Sequence, residues 1–228
     1  MTHNRCHSQL RSTHLTLHAI AIPARTQPAQ GLLVMLHGWG ANAQDVAALA
    51  SYVNLPEYQF IFPEAPFPHP YSTTGKKWYG FPDDYDFRSR DDFQTKVDLL
   101  QSRQQLIDWL GSLEGETGIP LSHTVLAGFS QGGAMTLDVG LRLPFAALMV
   151  LSGYLHAPLQ LETPPKSPVL MVHGTLDNVV PITAARQARD FLIAAGVNVD
   201  YQELVMGHEI QPIILQIVQS FIGKVPLF

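Results

Sequence analysis

The sequence predicts an α/β protein built around a mostly parallel, twisted sheet with helices on both faces. Short apolar runs alternate with longer segments of helical spacing, as in layered α/β folds. The run at 31–36 is apolar throughout, which is typical of a strand covered on both faces. Apolar residues make up 46% of the chain and charged residues only 14%, so the protein can bury a core.

The predicted elements follow from local patterns in chain order. Apolar or alternating runs predict strands at 15–19, 31–36, 58–62, 125–129, 146–152, 168–173 and 197–205. Helical spacing predicts helices at 43–53, from Phe93 with Val97, Leu100, Ile107 and Leu110 on one face, from 130 to about 143, at 182–195, and from Gln211 onward. The final helix has one apolar face, which we interpret as docking on the sheet rather than on a membrane surface. The proline- and aromatic-rich segment 63–92 is a long loop of the kind that often carries function.

Neither a linker nor an internal repeat interrupts the pattern, so we expect one domain over residues 1–228, with residues 1–12 as a mobile N-terminus. The formal net charge is −5 and no basic stripe is present, which argues against a nucleic-acid partner. The apolar runs are far shorter than the ~20 residues of a membrane-spanning helix, so stable membrane insertion is not expected. Cys6 is the single cysteine, which excludes an intrachain disulfide. With no secretory signal visible, we expect a cytoplasmic protein.

The motif that carries chemistry is Gly128-Phe129-Ser130-Gln131-Gly132, which lies between a predicted strand and a predicted helix. Gly-x-Ser-x-Gly at such a junction places a serine on a sharp, strained turn with its oxygen above the sheet. The N–H groups at the start of the following helix point toward the same place, where negative charge would develop. Ser130 is therefore the candidate nucleophile.

A serine hydroxyl needs a base, and the base needs an acid that orients it. Asp177 follows the predicted strand 168–173, and His208 follows the predicted strand 197–205. The order serine, acid, histidine and the position after strand ends both fit a serine hydrolase of this fold class. Taken singly, Asp177 is equally a turn or capping residue, and His208 equally a helix cap or a solvent-exposed side chain.

An oxyanion requires two backbone N–H donors. The residue after the nucleophile, Gln131, supplies the first. The segment His37-Gly38-Trp39-Gly40 follows an early strand, and its glycines permit the tight backbone that a donor loop needs. We therefore predict the N–H of Trp39 as the second donor.

Together, these motifs resemble the phospholipase/carboxylesterase family of α/β hydrolases, which includes acyl-protein thioesterases and small bacterial carboxylesterases. The blocks that carry the resemblance are His-Gly-Trp-Gly, Gly-Phe-Ser-Gln-Gly-Gly, His-Gly-Thr-Leu-Asp-Asn-Val-Val-Pro and Gly-His-Glu. The resemblance implies an α/β-hydrolase fold without a large lid domain. It assigns the nucleophile to Ser130, the acid to Asp177, the base to His208 and the oxyanion donors to Trp39 and Gln131. Trp39 departs from the family pattern, where leucine is common. Relatives in the family are often dimers, which leaves a homodimer open.

Candidate substrate-binding residues come from the long loop and from the segment after Asp177. They are Phe67, Trp78, Tyr79, Phe81 and Val180. The loop aromatics are equally readable as packing of the loop on the sheet. The acidic residues of the loop lack the spacing of a calcium site, and we expect neither a metal nor an organic cofactor.

The resulting prediction is a serine carboxylic ester hydrolase that acts on small-molecule esters with small to medium acyl groups. One alternative is an acyl-protein thioesterase or lysophospholipase that acts on longer acyl chains. An alternative of another class is a non-catalytic ligand-binding protein of the same fold, because fold alone does not determine function.

Overall fold

The structure of the chain, a computed structural model, describes residues 17–161 and 165–226. The predicted mobile N-terminus at 1–12, which contains Cys6, lies outside the described residues.

A seven-stranded sheet forms the centre of the fold. In chain order the strands are β1 (Ala19–Ile22), β2 (Gly31–Leu36), β3 (Tyr58–Pro63), β4 (Phe67–Pro68), β5 (Lys76–Lys77), β6 (Thr124–Phe129), β7 (Ala147–Leu151), β8 (Val169–Gly174) and β9 (Val199–Leu204). The short strands β4 and β5 pair with each other, and the others lie in the order β1-β3-β2-β6-β7-β8-β9. Strand β1 is antiparallel to β3, and the remaining neighbours are parallel. The predicted mostly parallel sheet is confirmed.

Helices cover both faces of this sheet. In chain order they are α1 (Ala43–Ala47), α2 (Val97–Thr117), α3 (Gln131–Gly140), α4 (Ile182–Ala194) and α5 (Pro212–Ile222). Successive side chains of a strand point to opposite faces. Leu32 and Val34 of β2 accordingly join the core beneath α2, α3 and α4, while Leu33 and Met35 join the core beneath α1 and α5. None of the helices among the described residues has the length and apolar character needed to cross a membrane.

Helix α2 differs from its prediction in start and in buried face. It begins at Val97, because Phe93 lies in a 3-10 turn over Asp91–Thr95. Val97 and Leu100, which were expected on the buried face, are exposed. The residues buried against the sheet are Leu99, Leu106, Leu110 and Leu113. These keep the spacing of three, four and seven residues that defines one helical face, and the first two predicted residues lie off it.

Two other predicted segments also shift. The edge strand expected at 15–19, of which residues 15 and 16 lie outside the described residues, is found at Ala19–Ile22, and its full length pairs with Phe60 to Pro63 of β3. The helix expected at 43–53 is α1 followed by a 3-10 turn at Ala48–Tyr52. The long loop at 63–92 contains the two-residue pair β4 and β5.

Parallel pairing brings the carboxyl ends of β6, β8 and β9 to one edge of the sheet. Ser130 follows β6, Asp177 lies three residues beyond β8, and His208 lies four residues beyond β9. Open α/β sheets place their ligand sites at this edge.

Candidate active site

Ser130 lies on a sharp turn between β6 and α3, with φ 54° and ψ −118°. A non-glycine residue at positive φ is uncommon and strained, and such strain is concentrated at functional sites. Glycines make the turn possible: a Cβ at Gly128 would clash with the carbonyl of Gly132, and one at Gly132 with the carbonyl of Leu36. The backbone N–H of Ser130 is held by the carbonyl of Leu151 at 2.9 Å.

A line of hydrogen bonds connects the three predicted catalytic side chains. His208 Nε2 lies 3.0 Å from Ser130 Oγ, and His208 Nδ1 lies 2.7 Å from Asp177 Oδ2. A carboxylate only accepts hydrogen bonds, so Nδ1 carries the proton and the lone pair of Nε2 faces the serine hydroxyl. The structure therefore brings Ser130, His208 and Asp177 together in the geometry that proton removal from a serine requires.

The loop after β8 fixes the carboxylate of Asp177. Its Oδ1 accepts the backbone N–H groups of Val179 at 2.9 Å and Val180 at 2.8 Å, which leaves Oδ2 for His208. His173 closes the loop by donating from Nε2 to the carbonyl of Val180 at 2.9 Å. Burial lowers the pKa of His173, so the imidazole stays neutral beside Asp177.

The segment after β2 runs directly beside Ser130. A Cβ built on Gly38 would lie 3.3 Å from Ser130 Cβ, and Gly40 adopts the left-handed φ of 81°. His37 ties this segment down: its Nε2 accepts the N–H of Ala65 at 3.1 Å, and its Nδ1 donates to the carbonyl of Gly38 at 2.8 Å. Burial lowers the pKa of His37, which keeps the ring neutral in these roles.

The side chain of Gln131 has a structural role that its sequence position did not reveal. Its side chain is completely buried, accepts the N–H of Trp78 at 2.9 Å and donates to the carbonyl of Tyr79 at 2.8 Å. The ring nitrogen of Trp78 in turn donates to the carbonyl of His37 at 3.0 Å. The first residue of α3 thus connects the long loop to the segment beside Ser130.

The predicted substrate-binding residues fall into two groups. The side chains of Trp78, Tyr79 and Val180 have 0% exposure, so their prediction as walls of an open groove does not match their placement. Trp78 and Tyr79 are buried because the loop packs on the core of the protein, the alternative left open for the loop aromatics, and Val180 is buried in the segment after Asp177. Phe67, in β4, and Phe81 are half-buried. Phe81 lies 5.8 Å from Trp39, whose ring is 38% exposed at the edge of the site.

A second histidine–carboxylate couple was missed at the level of sequence. Asp138 of α3 accepts hydrogen bonds from Arg103 Nε at 2.8 Å and lies 3.3 Å from His156 Nε2. His156 Nδ1 lies 3.2 Å from the hydroxyl of Tyr79, which is 2.8 Å from that of Tyr154. Although burial opposes ionisation, His156 and Arg103 lower the pKa of Asp138 to about 2. The available signal was a single acid within the apolar stretch 134–139, too short to identify its partners.

Among residues 17–161 and 165–226, no three His, Cys, Asp or Glu side chains gather as metal ligands. Three acidic residues of the long loop are instead paired with arginines. Arg90 binds Asp84 at 3.2 Å and Asp92 at 2.9 Å, and Arg88 pairs with Asp86.

Comparison with known proteins places this geometry among ester-cleaving enzymes. A family model described as Phospholipase/Carboxylesterase matches residues 17–226. Acyl-protein thioesterase 1 of Saccharomyces cerevisiae is 28% identical over 226 residues, which cover 91% of this chain and 98% of that protein. Acyl-protein thioesterase 1 of Neurospora crassa is 33% identical over 186 residues, which cover 75% of this chain and 74% of that protein.

Solved structures with a similar fold also include esterases. The crystal structure of esterase PE8 superposes with a TM-score of 0.84 at 31% identity and covers 93% of this chain and 100% of that one. SOBER1 of Arabidopsis thaliana superposes with a TM-score of 0.73 at 26% identity, over 85% of this chain and 98% of that one. The α/β-hydrolase fold implied by the sequence motifs is confirmed, and no large lid interrupts the described residues.

Proposed function

Because the chain belongs to the phospholipase/carboxylesterase family, a class of ester-hydrolysing serine hydrolases, we propose that it cleaves carboxylic esters through an acyl-enzyme on Ser130. The observation that carries the proposal is the hydrogen-bonded line from Asp177 through His208 to Ser130, at 2.7 and 3.0 Å. His208 acts as the base and Asp177 as the acid that orients it.

In the first half-reaction, Ser130 Oγ attacks the ester carbonyl carbon while His208 Nε2 takes the hydroxyl proton. The tetrahedral intermediate then collapses, the bond to the alcohol oxygen breaks, and His208 gives its proton to that oxygen. In the second half-reaction, water attacks the acyl-enzyme with His208 again as base, and the carboxylic acid leaves. Asp177 stabilises the imidazolium in both halves.

Two backbone N–H groups serve as oxyanion donors in this proposal. Gln131 lies in the first turn of α3, where backbone N–H groups have no partner within the helix. Trp39 follows Gly38, which passes against Ser130. Each such donor is worth about 2.7–4 kcal/mol of transition-state stabilisation in related chemistry.

We place the natural substrates among esters of small to medium acyl groups. The names of the thioesterase relatives favour one alternative, a thioester with a longer acyl chain. The sulfur of a thioester leaves through the same proton transfer, so the site itself serves both reactions. Acyl length and leaving atom therefore have to be measured separately.

The test compares wild type, Ser130→Ala and the control Ser51→Ala, whose serine lies in the 3-10 turn at Ala48–Tyr52 on the other face of the sheet. Hydrolysis of p-nitrophenyl esters and matched thioesters is followed at each acyl length. We expect Ser130→Ala to lower kcat by more than about 10⁴-fold with an unchanged melting temperature. Ser51→Ala should keep full activity.

An alkyl phosphonate supplies an independent readout, because it labels an activated serine without requiring turnover. Mass spectrometry should find the adduct on Ser130 alone. Wild-type turnover in purified Ser130→Ala, or labelling elsewhere with Ser130 unmodified, would rule out the acyl-enzyme on this residue.

A further inference from the structure

Four aromatic side chains pack together beside the candidate site and form what we call the aromatic cluster: Phe81, Tyr85, Phe87 and Tyr154. The rings of Phe81 and Tyr85 stack at 4.9 Å, and Phe87 contacts Tyr85 at 5.0 Å and Tyr154 at 5.1 Å. Three of the four belong to the long loop at 63–92, and Tyr154 follows β7. The four rings are therefore linked to one another by direct contacts.

The aromatic cluster touches three of the segments that carry the site: those of Trp39, Ser130 and Asp177. Phe81 lies 5.8 Å from Trp39, in the segment beside Ser130. The cluster packs against Ala134, whose N–H binds the carbonyl of Ser130 at 3.1 Å, and against Val180, whose N–H binds Asp177. The rings therefore lie along the wall of the site between the nucleophile and the loop of the acid.

The position of His208 indicates which part of an ester would meet this wall. The alcohol oxygen must leave within reach of His208 Nε2. The ring of His208 packs at 4.8 Å on Phe129, which joins the core beneath α1 and α5. Phe81 and Tyr85 instead pack against the core beneath α2, α3 and α4. The acyl group extends away from the leaving oxygen, so an acyl group on Ser130 would extend toward the side of the aromatic cluster.

Phe87 reaches the cluster through a strained backbone, with φ of 61°. A bulky residue in this region is an outlier that its surroundings must hold in place. The residues on either side of Phe87 are joined by hydrogen bonds that hold it in place. The carboxylate of Asp86 accepts the backbone N–H of Arg88 at 3.2 Å and the Nε–H of Arg88 at 2.6 Å. In this backbone conformation the ring of Phe87 lies against Tyr85 and Tyr154.

A chain of buried hydrogen bonds forms the floor of the cluster. The hydroxyl of Tyr154 lies 2.8 Å from that of Tyr79, which is linked through His156 to the carboxylate of Asp138. Tyr79, Tyr154, His156 and Asp138 are all buried. A long acyl chain would therefore meet this buried floor on one side and the half-buried rings of the loop, Phe87 among them, on the other.

We propose that the aromatic cluster closes the acyl side of the site and restricts the substrate to the shorter of the small to medium acyl groups, with Phe87 as the residue that sets the limit. This inference rests on the proposed function, since it concerns the acyl group transferred to Ser130. Phe87 determines specificity and takes no part in bond making or breaking. Replacing Phe87 with a smaller residue would open a pocket lined by Tyr85 and Tyr154.

The experiment measures kcat/KM for p-nitrophenyl esters from acetate to laurate with wild type, Phe87→Leu, Phe87→Ala and the control Tyr52→Ala. Tyr52 is an exposed aromatic residue at the end of the 3-10 turn Ala48–Tyr52, which packs on the α1 and α5 side of the sheet. Wild type should fall at least tenfold from butyrate to octanoate. Each methylene that gains apolar contact is worth about fourfold, so Phe87→Ala should raise the octanoate-to-butyrate ratio at least tenfold. Phe87→Leu should lie between, and Tyr52→Ala should match wild type.

A second series keeps the acetyl group and varies the alcohol from methanol to octanol. We expect Phe87→Ala to leave this series unchanged, and a change here instead of in the acyl series would overturn the assignment to the acyl side. An acyl profile identical in wild type, Phe87→Leu and Phe87→Ala would overturn the role of Phe87, as would a wild-type optimum at laurate. If Phe87→Ala fails to fold, the octanoate-to-butyrate ratio of Phe87→Leu decides whether Phe87 sets the acyl limit. Hydrolysis that is lost in Ser130→Ala keeps the proposed function intact in either case.

Discussion

The molecule contains two histidine–carboxylate couples with similar contacts and different surroundings. His208 and Asp177 meet at 2.7 Å at the open edge of the sheet, and the free nitrogen of His208 faces Ser130. His156 and Asp138 meet at 3.3 Å inside the core, and the other nitrogen of His156 faces the hydroxyl of Tyr79.

The carboxylates differ most in what else binds them. Asp177 accepts two backbone N–H groups, which orient it and bring no formal charge. Asp138 is paired with the guanidinium groups of Arg103 and Arg142. A carboxylate held by neutral dipoles keeps its charge available to a developing imidazolium, whereas one paired with arginines has its charge already compensated. A histidine–acid pair is therefore a candidate for proton transfer only when the second ring nitrogen of the histidine faces a reactive group that substrate can reach.

The largest difference is expected between matched Asp→Asn variants. Asp177→Asn should lower kcat by about 10⁴-fold, because the amide no longer holds His208 in the tautomer that accepts a proton from Ser130. Asp138→Asn should lower kcat by less than about tenfold, since its partner does not touch Ser130. Both are measured on p-nitrophenyl acetate with folded protein at pH 7. Equal losses in the two variants would remove the distinction between the couples.

An intermediate effect is expected on stability and its pH dependence. The pKa of Asp138 is about 2 in the fold against an ordinary value of 3.8. A lowered pKa means that the stabilisation is fully present above the unfolded value, near pH 4, and is lost as pH falls toward 2. Its size is about 2 kcal/mol at neutral pH.

The measurement compares the free energy of unfolding in urea for wild type and Asp138→Asn between pH 7 and pH 2.5. The difference should be about 2 kcal/mol or more at pH 7, because the variant leaves Arg103 and His156 facing a neutral group. It should shrink below pH 4, because Asp138 then binds a proton in the unfolded wild-type chain while the folded carboxylate is still ionised. A difference that stays constant across this range would mean that the charge of Asp138 does not stabilise the fold.

The smallest effect is expected for Tyr79→Phe. This change removes the hydroxyl that links His156 to Tyr154 and leaves both without that hydrogen bond. The expected loss is about 1 kcal/mol of unfolding free energy, with kcat on acetate within twofold of wild type. The exposed Tyr52→Phe serves as the control and should change neither quantity. A tenfold fall in kcat for Tyr79→Phe would mean that the pair of His156 and Asp138 takes part in the reaction.

Much of the fold and the candidate site followed from the sequence. Apolar or alternating runs located the parallel strands of the main sheet, β2, β3 and β6 to β9, to within about two residues, because strands buried on both faces are apolar throughout. The short pair β4 and β5 lies in what was predicted as a loop. The order Ser130, Asp177, His208 followed from one motif and two strand ends, since parallel strands bring their carboxyl ends to one edge. The blocks around these residues also carried the family.

Other features depended on contacts between distant segments. Trp78 and Tyr79 looked like groove residues, yet Gln131 and His156 hold them inside the core. The couple of Asp138 and His156 joins residues that are unremarkable in their own segments. Phe87 gained its position from a strained backbone that its neighbours stabilise.

The sequence by itself therefore determined the sheet, the order of the candidate catalytic residues and the family, because each depends on local periodicity or a short motif. The tertiary structure alone decided which aromatic side chains face the site, which histidine faces a reachable hydroxyl and which acid is neutralised by arginine. The physical reason is that burial and charge pairing depend on side chains far apart in the chain. Those distances are set only when the long loop folds onto α3 and the sheet.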